Sequence, residues 1–285
     1  MRLDDKRESS NVEDRRGGGF GLGGRSIGIG GVVLALVVSY FTGISPSALL
    51  DMLPGSENPA GQSGPAPAPP ANDQMATFVS KVLADTEETW QTIFRETGRK
   101  YQDPKLVLFS GATSSACGTG RKAMGPFYCS LDQKVYIDLV FYRELRERFH
   151  APGEFAQAYV IAHEVGHHVQ HLLGVFDKVR KAQEGGNSAA NNALSIRLEL
   201  QADCFAGVWG NRADKLRNIV EPGEVGQALA AASAIGDDQL QKQTQGHSRP
   251  ETFTHGTSEQ RVRWFKRGME SGDPNQCDTF KEKNL

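Results

Sequence analysis

The chain has 285 residues, enough for one well-filled domain plus extensions. Its 32 basic residues are matched by 34 acidic ones, and the formal charge of −2 comes without a long basic run, which gives no case for nucleic-acid binding. Many of the 32 glycines fall before residue 65, so one folded region is expected behind atypical material.

Residues 1–25 are charged and then glycine-rich (MRLDDKRESSNVEDRRGGGFGLGGR), and are expected to stay unpacked. From Ser26 to Ile44 no charged residue occurs. As a helix these 19 residues reach about 28 Å, close to the roughly 30 Å hydrocarbon core of a bilayer. A buried core helix would show a polar face, and a secretory signal peptide would have a shorter apolar region, so an uncleaved signal anchor is predicted. Arg15, Arg16 and Arg25 precede the stretch, and no Lys or Arg follows until Lys81. The positive-inside bias then predicts a single-pass protein of the cell (inner) membrane, with residues 1–25 cytoplasmic and the remainder extracytoplasmic or periplasmic. Residues 45–74 hold many prolines and glycines without periodicity and read as a disordered linker.

The folded domain is expected over 75–285 as an α+β, mainly helical unit with a small sheet. Helical spacing runs from Met75 to Gly98, and strands are predicted at Leu106–Phe109 and Lys134–Phe141. Further helices are predicted at Pro152–Leu173, Ser188–Ala213, Pro222–Gln241 and Ser258–Met269. KVYIDLVF, residues 134–141, is the candidate edge strand for pairing with an extended peptide; a position inside the sheet is the alternative. No CxxC pair occurs among the four cysteines, which excludes a zinc knuckle of that kind. Proximity favours a Cys117–Cys129 disulfide, leaving Cys204 with Cys277, although three pairings are open.

The most informative stretch is IAHEVGHHVQH, residues 161–171. On a helix His163 and His167 lie roughly 40° apart, with Glu164 beside them. Two imidazoles one turn apart can hold zinc, and the adjoining glutamate can act as general base. Gly166 serves either close substrate approach or helix packing. His168 and His171 extend the run as exposed or supporting groups, since His171 is too far from His163 for a shared tetrahedral site.

A catalytic zinc site needs a third protein ligand. The extension HExxHxxGxxH fails, because Gln170 and Leu173 stand where Gly and His are required. IRLELQADCFAGVW offers Glu199, 32 residues after His167, and Asp203 one turn later. Carboxylates on so apolar a segment are costly to bury unless paired or metal-bound. Glu199 is therefore the candidate ligand, and Asp203 the candidate acceptor from the outer N–H of a ligating histidine.

With the blocks SSNVEDRR, IAHEVGHHVQ, RLELQADCFAG, AIGDDQLQ and PETFTHGTSEQRVRWF, the chain resembles the bacterial neutral zinc metallopeptidases, a membrane-anchored family with gluzincin-like features. The resemblance covers nearly the whole chain apart from the linker. It implies a zincin-like domain binding one Zn2+ through His163, His167 and Glu199, with Glu164 as catalytic base.

THGTSEQ contains a helix start with Thr257 and Gln260 as a capping box. His255, just ahead of it, is either a donor to the oxyanion of a tetrahedral intermediate or a loop histidine. Asp237 and Asp238 read as turn caps, with orientation of a ligand as the alternative. The expected function is that of a membrane-anchored peptidase acting on peptides or proteins by metal-activated water. The rivals are a zinc amidase or deformylase with a small substrate, and an inactive tethered binding module. The expected partners are substrate and, through 26–44, the lipid bilayer; oligomeric state is not legible.

Overall fold

Alternating side chains in two adjacent strands organise the described part of the molecule, which in this computed structural model comprises residues 1–16, 69, 70, 72–121 and 125–285. The expected span 26–44 and most of the expected linker 45–74 lie outside it. Among the described residues no helix is long and apolar enough to cross a membrane. Strands β1 (Val12–Asp14), β2 (Lys105–Phe109), β5 (Phe127–Cys129) and β6 (Lys134–Asp138) form one sheet in the order β1-β2-β6-β5. The first three in that order run parallel, and β5 pairs antiparallel with β6. Leu106, Leu108, Val135 and Ile137 enter the main core, whereas Val107, Phe109, Tyr136 and Cys129 cluster apart. That alternation is the period of two of a sheet buried on both faces. A hairpin of β3 (Ala112–Ser115) and β4 (Gly118–Arg121) meets the second cluster: a Cβ on Gly120 would lie 2.5 Å from the Phe127 ring.

The helices form the larger layer, eight of them among the described residues. Helix α1 (Gln74–Glu96) starts on Asp73, whose side chain accepts from Ala76 N, and buries Val79, Val82, Leu83, Trp90, Ile93 and Phe94. Next come α2 (Val140–Glu147), α3 (Glu154–Leu172), α4 (Val175–Gln183), α5 (Ser188–Arg217), α6 (Glu224–Ala234), α7 (Asp237–Gln245) and α8 (Ser258–Ser271). Helix α3 packs against α5, α6, α1 and the β5–β6 side of the sheet. Helices α5 and α8 cross closely through glycines: a Cβ on Gly207 would stand 2.1 Å from Phe265 O, and one on Gly268 2.0 Å from Cys204 O. The capping box expected at Thr257 and Gln260 is present. Both expected disulfides, Cys117–Cys129 and Cys204–Cys277, are formed.

Four expectations are corrected. KVYIDLVF is not an edge strand, because β6 has β2 on one side and β5 on the other. It also ends early: the Asp138 carboxylate accepts from Gly111 N and Val140 N, turning the chain into α2. The helix expected over 222–241 breaks at Gly236, where the backbone lies so close to Ser258 that a Cβ would sit 2.4 Å from its nitrogen. Finally, residues 1–16 are packed. Residues 1–15 and the described residues from 69 onward form one compact unit, with Val12 and Leu3 buried and β1 adding a fourth strand to the sheet.

Candidate metal centre

Helix α3 presents His163, Glu164 and His167 on one side, all buried, and α5 brings Glu199 against them. Glu199 Oε2 is 3.2 Å from His163 Nε2, and its Oε1 is 3.4 Å from His167 Nε2. One donor atom from each of the three residues falls within 4.8 Å of the others. Two imidazole nitrogens and one carboxylate oxygen, converging on one point, fit the donor set of a catalytic zinc site.

The outer nitrogens of both histidines are held. His163 Nδ1–H donates to Asp203 Oδ1 at 2.8 Å, which leaves Nε2 facing Glu199. His167 Nδ1–H donates to Gln170 Oε1 at 2.9 Å, and Gln170 Nε2 in turn donates to Leu198 O on α5 at 2.7 Å. Gln170 therefore fixes one histidine and ties the two site helices together. Around Asp203 a wholly buried network closes. Arg261, from α8, donates through Nε to Oδ2 at 2.8 Å and through Nη2 to Oδ1 at 2.9 Å, and Tyr159 OH donates to Oδ1 at 2.5 Å.

The electrostatics of the cluster also suit a cation. Burial opposes a charge on His163, yet Asp203, helped by Glu199, holds its pKa up at about 10. Burial likewise opposes ionisation of Glu199, but the two histidines hold its carboxyl well below the usual range. Asp203, despite burial, is kept down at about 2 by Arg261 and His163. Glu164 goes the other way: burial raises its pKa above the ordinary carboxylate value.

His163, Glu164, His167 and Glu199 line a cleft of about 640 Å³. Phe127, Tyr128, Phe141, Phe149 and Phe176 also line it, as do Ile235, Leu240 and His255. His255 is half-exposed, with Nδ1 3.1 Å from Asp237 Oδ1. Asp237 Oδ2 accepts from the backbone N–H groups of Thr254, His255 and Gly256, so Asp237 shapes the loop and also orients the ring. The hydrogen bond from its ring to Asp237 raises the His255 pKa above its ordinary value. Asp238 instead bonds Ser258 N and Oγ at the start of α8, a structural task.

His168 and His171 stand outside the ligand cluster. His168 is buried and neutral, its pKa pushed down to about 4 by burial; it accepts from Tyr128 OH and donates to Gln102 O, fastening β5 to the metal helix. Gly166 serves packing, since a Cβ there would lie 2.9 Å from Ala202 O on α5. Sequence reasoning missed Tyr159, Gln170 and Arg261, although two of them leave a periodic signal. Arg261 precedes the buried Trp264, Phe265 and Gly268 by 3, 4 and 7 positions, which puts it on the buried stripe of α8. Tyr159 lies one turn before His163 on the same face of α3.

The comparisons with known proteins agree with this centre. Residues 1–280 match the family described as "Putative neutral zinc metallopeptidase". The uncharacterized protein YpfJ of Escherichia coli strain K12 is 50% identical over 288 aligned residues, covering 98% of this chain and 99% of that protein. The uncharacterized proteins Mb2605 of Mycobacterium bovis and Rv2575 of Mycobacterium tuberculosis strain H37Rv are each 42% identical over 218 residues, 73% of either chain. No solved structure matches. With its donor cluster and a match spanning almost its full length, the chain belongs to the neutral zinc metallopeptidase family.

Proposed function

We propose that the chain is a zinc-dependent peptidase in which His163, His167 and Glu199 hold the metal, Glu164 is the general base and His255 stabilises the developing oxyanion. The observation that carries this reading is the convergence of the three donors beside Glu164 on one cleft. When bound, zinc supplies Lewis acidity, bringing the pKa of water toward about 7 and polarising a carbonyl. Burial keeps the Glu164 pKa raised, so its carboxylate can take a proton from the attacking water and return it to the departing amine. Asp203 and Gln170 accept from the outer Nδ1–H groups of the two histidines and so aim each Nε2 at the site, where His163 would give up its Nε2 proton on binding the metal. His255, whose pKa is raised by its hydrogen bond to Asp237, would when protonated offer its outer N–H as a donor to an oxyanion.

The substrate-pairing role first given to 134–141 passes to β5. It is the sheet edge on the cleft side, and Phe127 and Tyr128 line the cleft. An extended peptide can add to that edge through backbone hydrogen bonds, which supports a peptidase over an enzyme of small amides in a closed pocket. We assign membrane attachment to the charge-free residues 26–44, and an extracytoplasmic site to the two disulfides, which persist in oxidising compartments.

Metal analysis and peptide-library cleavage by the full chain, with Glu164→Gln alongside, test the proposal. Expected is about one zinc per chain in both proteins and cleavage only by the wild type. Equal cleavage by both would reject Glu164 as base, and metal-free wild type would reject the centre itself.

A further inference from the structure

Through β1 the first 16 residues add a strand to the sheet of the domain that follows, although an apolar stretch of membrane-spanning length lies between them. Strand β1 pairs parallel with β2, placing Val12 opposite Leu106 and Asp14 opposite Leu108. The pairing is extended at both ends, with Leu106 N donating to Asn11 O and Arg15 N to Leu108 O. The side chains show that this is no casual edge contact. Glu87 of α1 is a buried carboxylate at 2% exposure. Its hydrogen bonds come from Ser9 Oγ at 2.5 Å, Asn11 Nδ2 at 2.9 Å and Arg7 Nη2 at 2.8 Å. Glu13 reaches Lys134 of β6 at 2.8 Å. Without residues 7–13 the domain would keep a buried carboxylate stripped of these donors, and such a charge is strongly destabilising.

We infer that residues 1–16 and the catalytic cleft occupy the same side of the membrane, so that the chain between them crosses a bilayer an even number of times, zero included. A single crossing would put β1 and β2 on opposite sides of some 30 Å of hydrocarbon and break every contact above. The positive-inside argument for a cytoplasmic N-terminus loses part of its force for the same reason. Arg15 is a fold residue: its guanidinium bonds Glu13 Oε2 at 2.8 Å and Ser114 O at 3.2 Å. A charge used within the domain does not report on which side of a membrane it was retained. The cysteines identify the shared side as the oxidising one.

Two measurements on the full chain in native membranes test the inference, independently of any peptidase activity. A site-specific protease sequence is inserted after Gly17 in one variant and after Gly64 in another. Each is challenged in spheroplasts and in inverted vesicles, with detergent-solubilised samples showing that both sites can be cut. Cleavage of both from the same face is expected; cleavage from opposite faces would overturn the inference. In the second, a zero-length carbodiimide couples carboxylates to adjacent amines in the intact membrane. The Glu13–Lys134 link is expected beside the internal reference Asp278–Lys281, whose atoms stand 2.7 Å apart. The reference link without Glu13–Lys134 would show that β1 is not docked, and would equally overturn it.

Discussion

At the scale of single residues, the proposed site separates groups that would hold a metal from groups that hold those groups. Glu199→Ala removes a donor, so zinc and activity are expected to fall together. Glu164→Gln leaves the donors in place, and turnover alone is expected to drop by roughly 10²–10⁴-fold. Asp203→Asn is expected to weaken zinc affinity by about 10–100-fold, read by competition with a chelator, because His163 loses its charged acceptor. Full zinc retention in Glu199→Ala with loss in Asp203→Ala would reverse these two roles. Arg261→Gln removes the larger of the two counter-charges of the buried Asp203 carboxylate and leaves only His163. Denaturant unfolding is expected to show a loss of about 3–5 kcal/mol, and a change near zero would remove Arg261 from the network. His255 titrates above its ordinary value, chiefly through its hydrogen bond to Asp237. Its contribution to stability is thus complete below about pH 6.5 and disappears as the pH rises through the raised value. If the cation serves the oxyanion, kcat/KM falls through the same range, and Asp237→Asn shifts that fall to lower pH. A pH profile unchanged in Asp237→Asn would assign the fall to another group.

Between elements, the geometry rests on close helix approach. Glu199 reaches both histidines because α3 and α5 touch through Gly166, where a Cβ would meet the Ala202 backbone oxygen at 2.9 Å. Gly166→Ala forces the helices apart. The expected result is a loss of about 1–3 kcal/mol in unfolding free energy together with weaker zinc binding. Normal zinc affinity in that variant would show that Glu199 tolerates the displacement. The sheet makes the matching contribution from the other side. Buried, neutral His168 accepts a hydrogen bond from the Tyr128 hydroxyl and donates to Gln102 O, so the edge strand and helix α3 are fixed to each other.

For the molecule as a whole, the disulfides join parts that are distant in sequence. Cys204 follows Asp203 directly on α5, and its bond to Cys277 ties the site helix to the C-terminal segment across 73 residues. In the chain-entropy account, closing a loop of that length stabilises by about 4 kcal/mol, against about 3 kcal/mol for the 12-residue separation of Cys117 and Cys129. Replacing Cys204 and Cys277 together is expected to lower Tm more than replacing Cys117 and Cys129. The opposite order would show that native-state packing around each bond outweighs loop closure.

Local and periodic chemistry was legible without the fold. Two histidines one turn apart with an adjoining glutamate, two carboxylates on an apolar helix, a Thr257–Gln260 cap and two plausible cysteine pairs all depend on residues close in sequence or on counting. They determined the candidate donor set, while the family followed from the resemblance of longer sequence blocks. What only the tertiary structure decided depends on which distant segments meet. No spacing rule could bring Arg261 to Asp203 or Gln170 to Leu198, because each contact is set by helix crossing. The short strand Val12–Asp14 carries too little pattern to be recognised alone, and becomes a strand because β2 offers it an edge. For the same reason β6, which reads as a strand in isolation, could be placed inside the sheet only once its two neighbours were known. A segment's periodicity encodes which face it buries, whereas its partners are chosen by the packing of the whole chain.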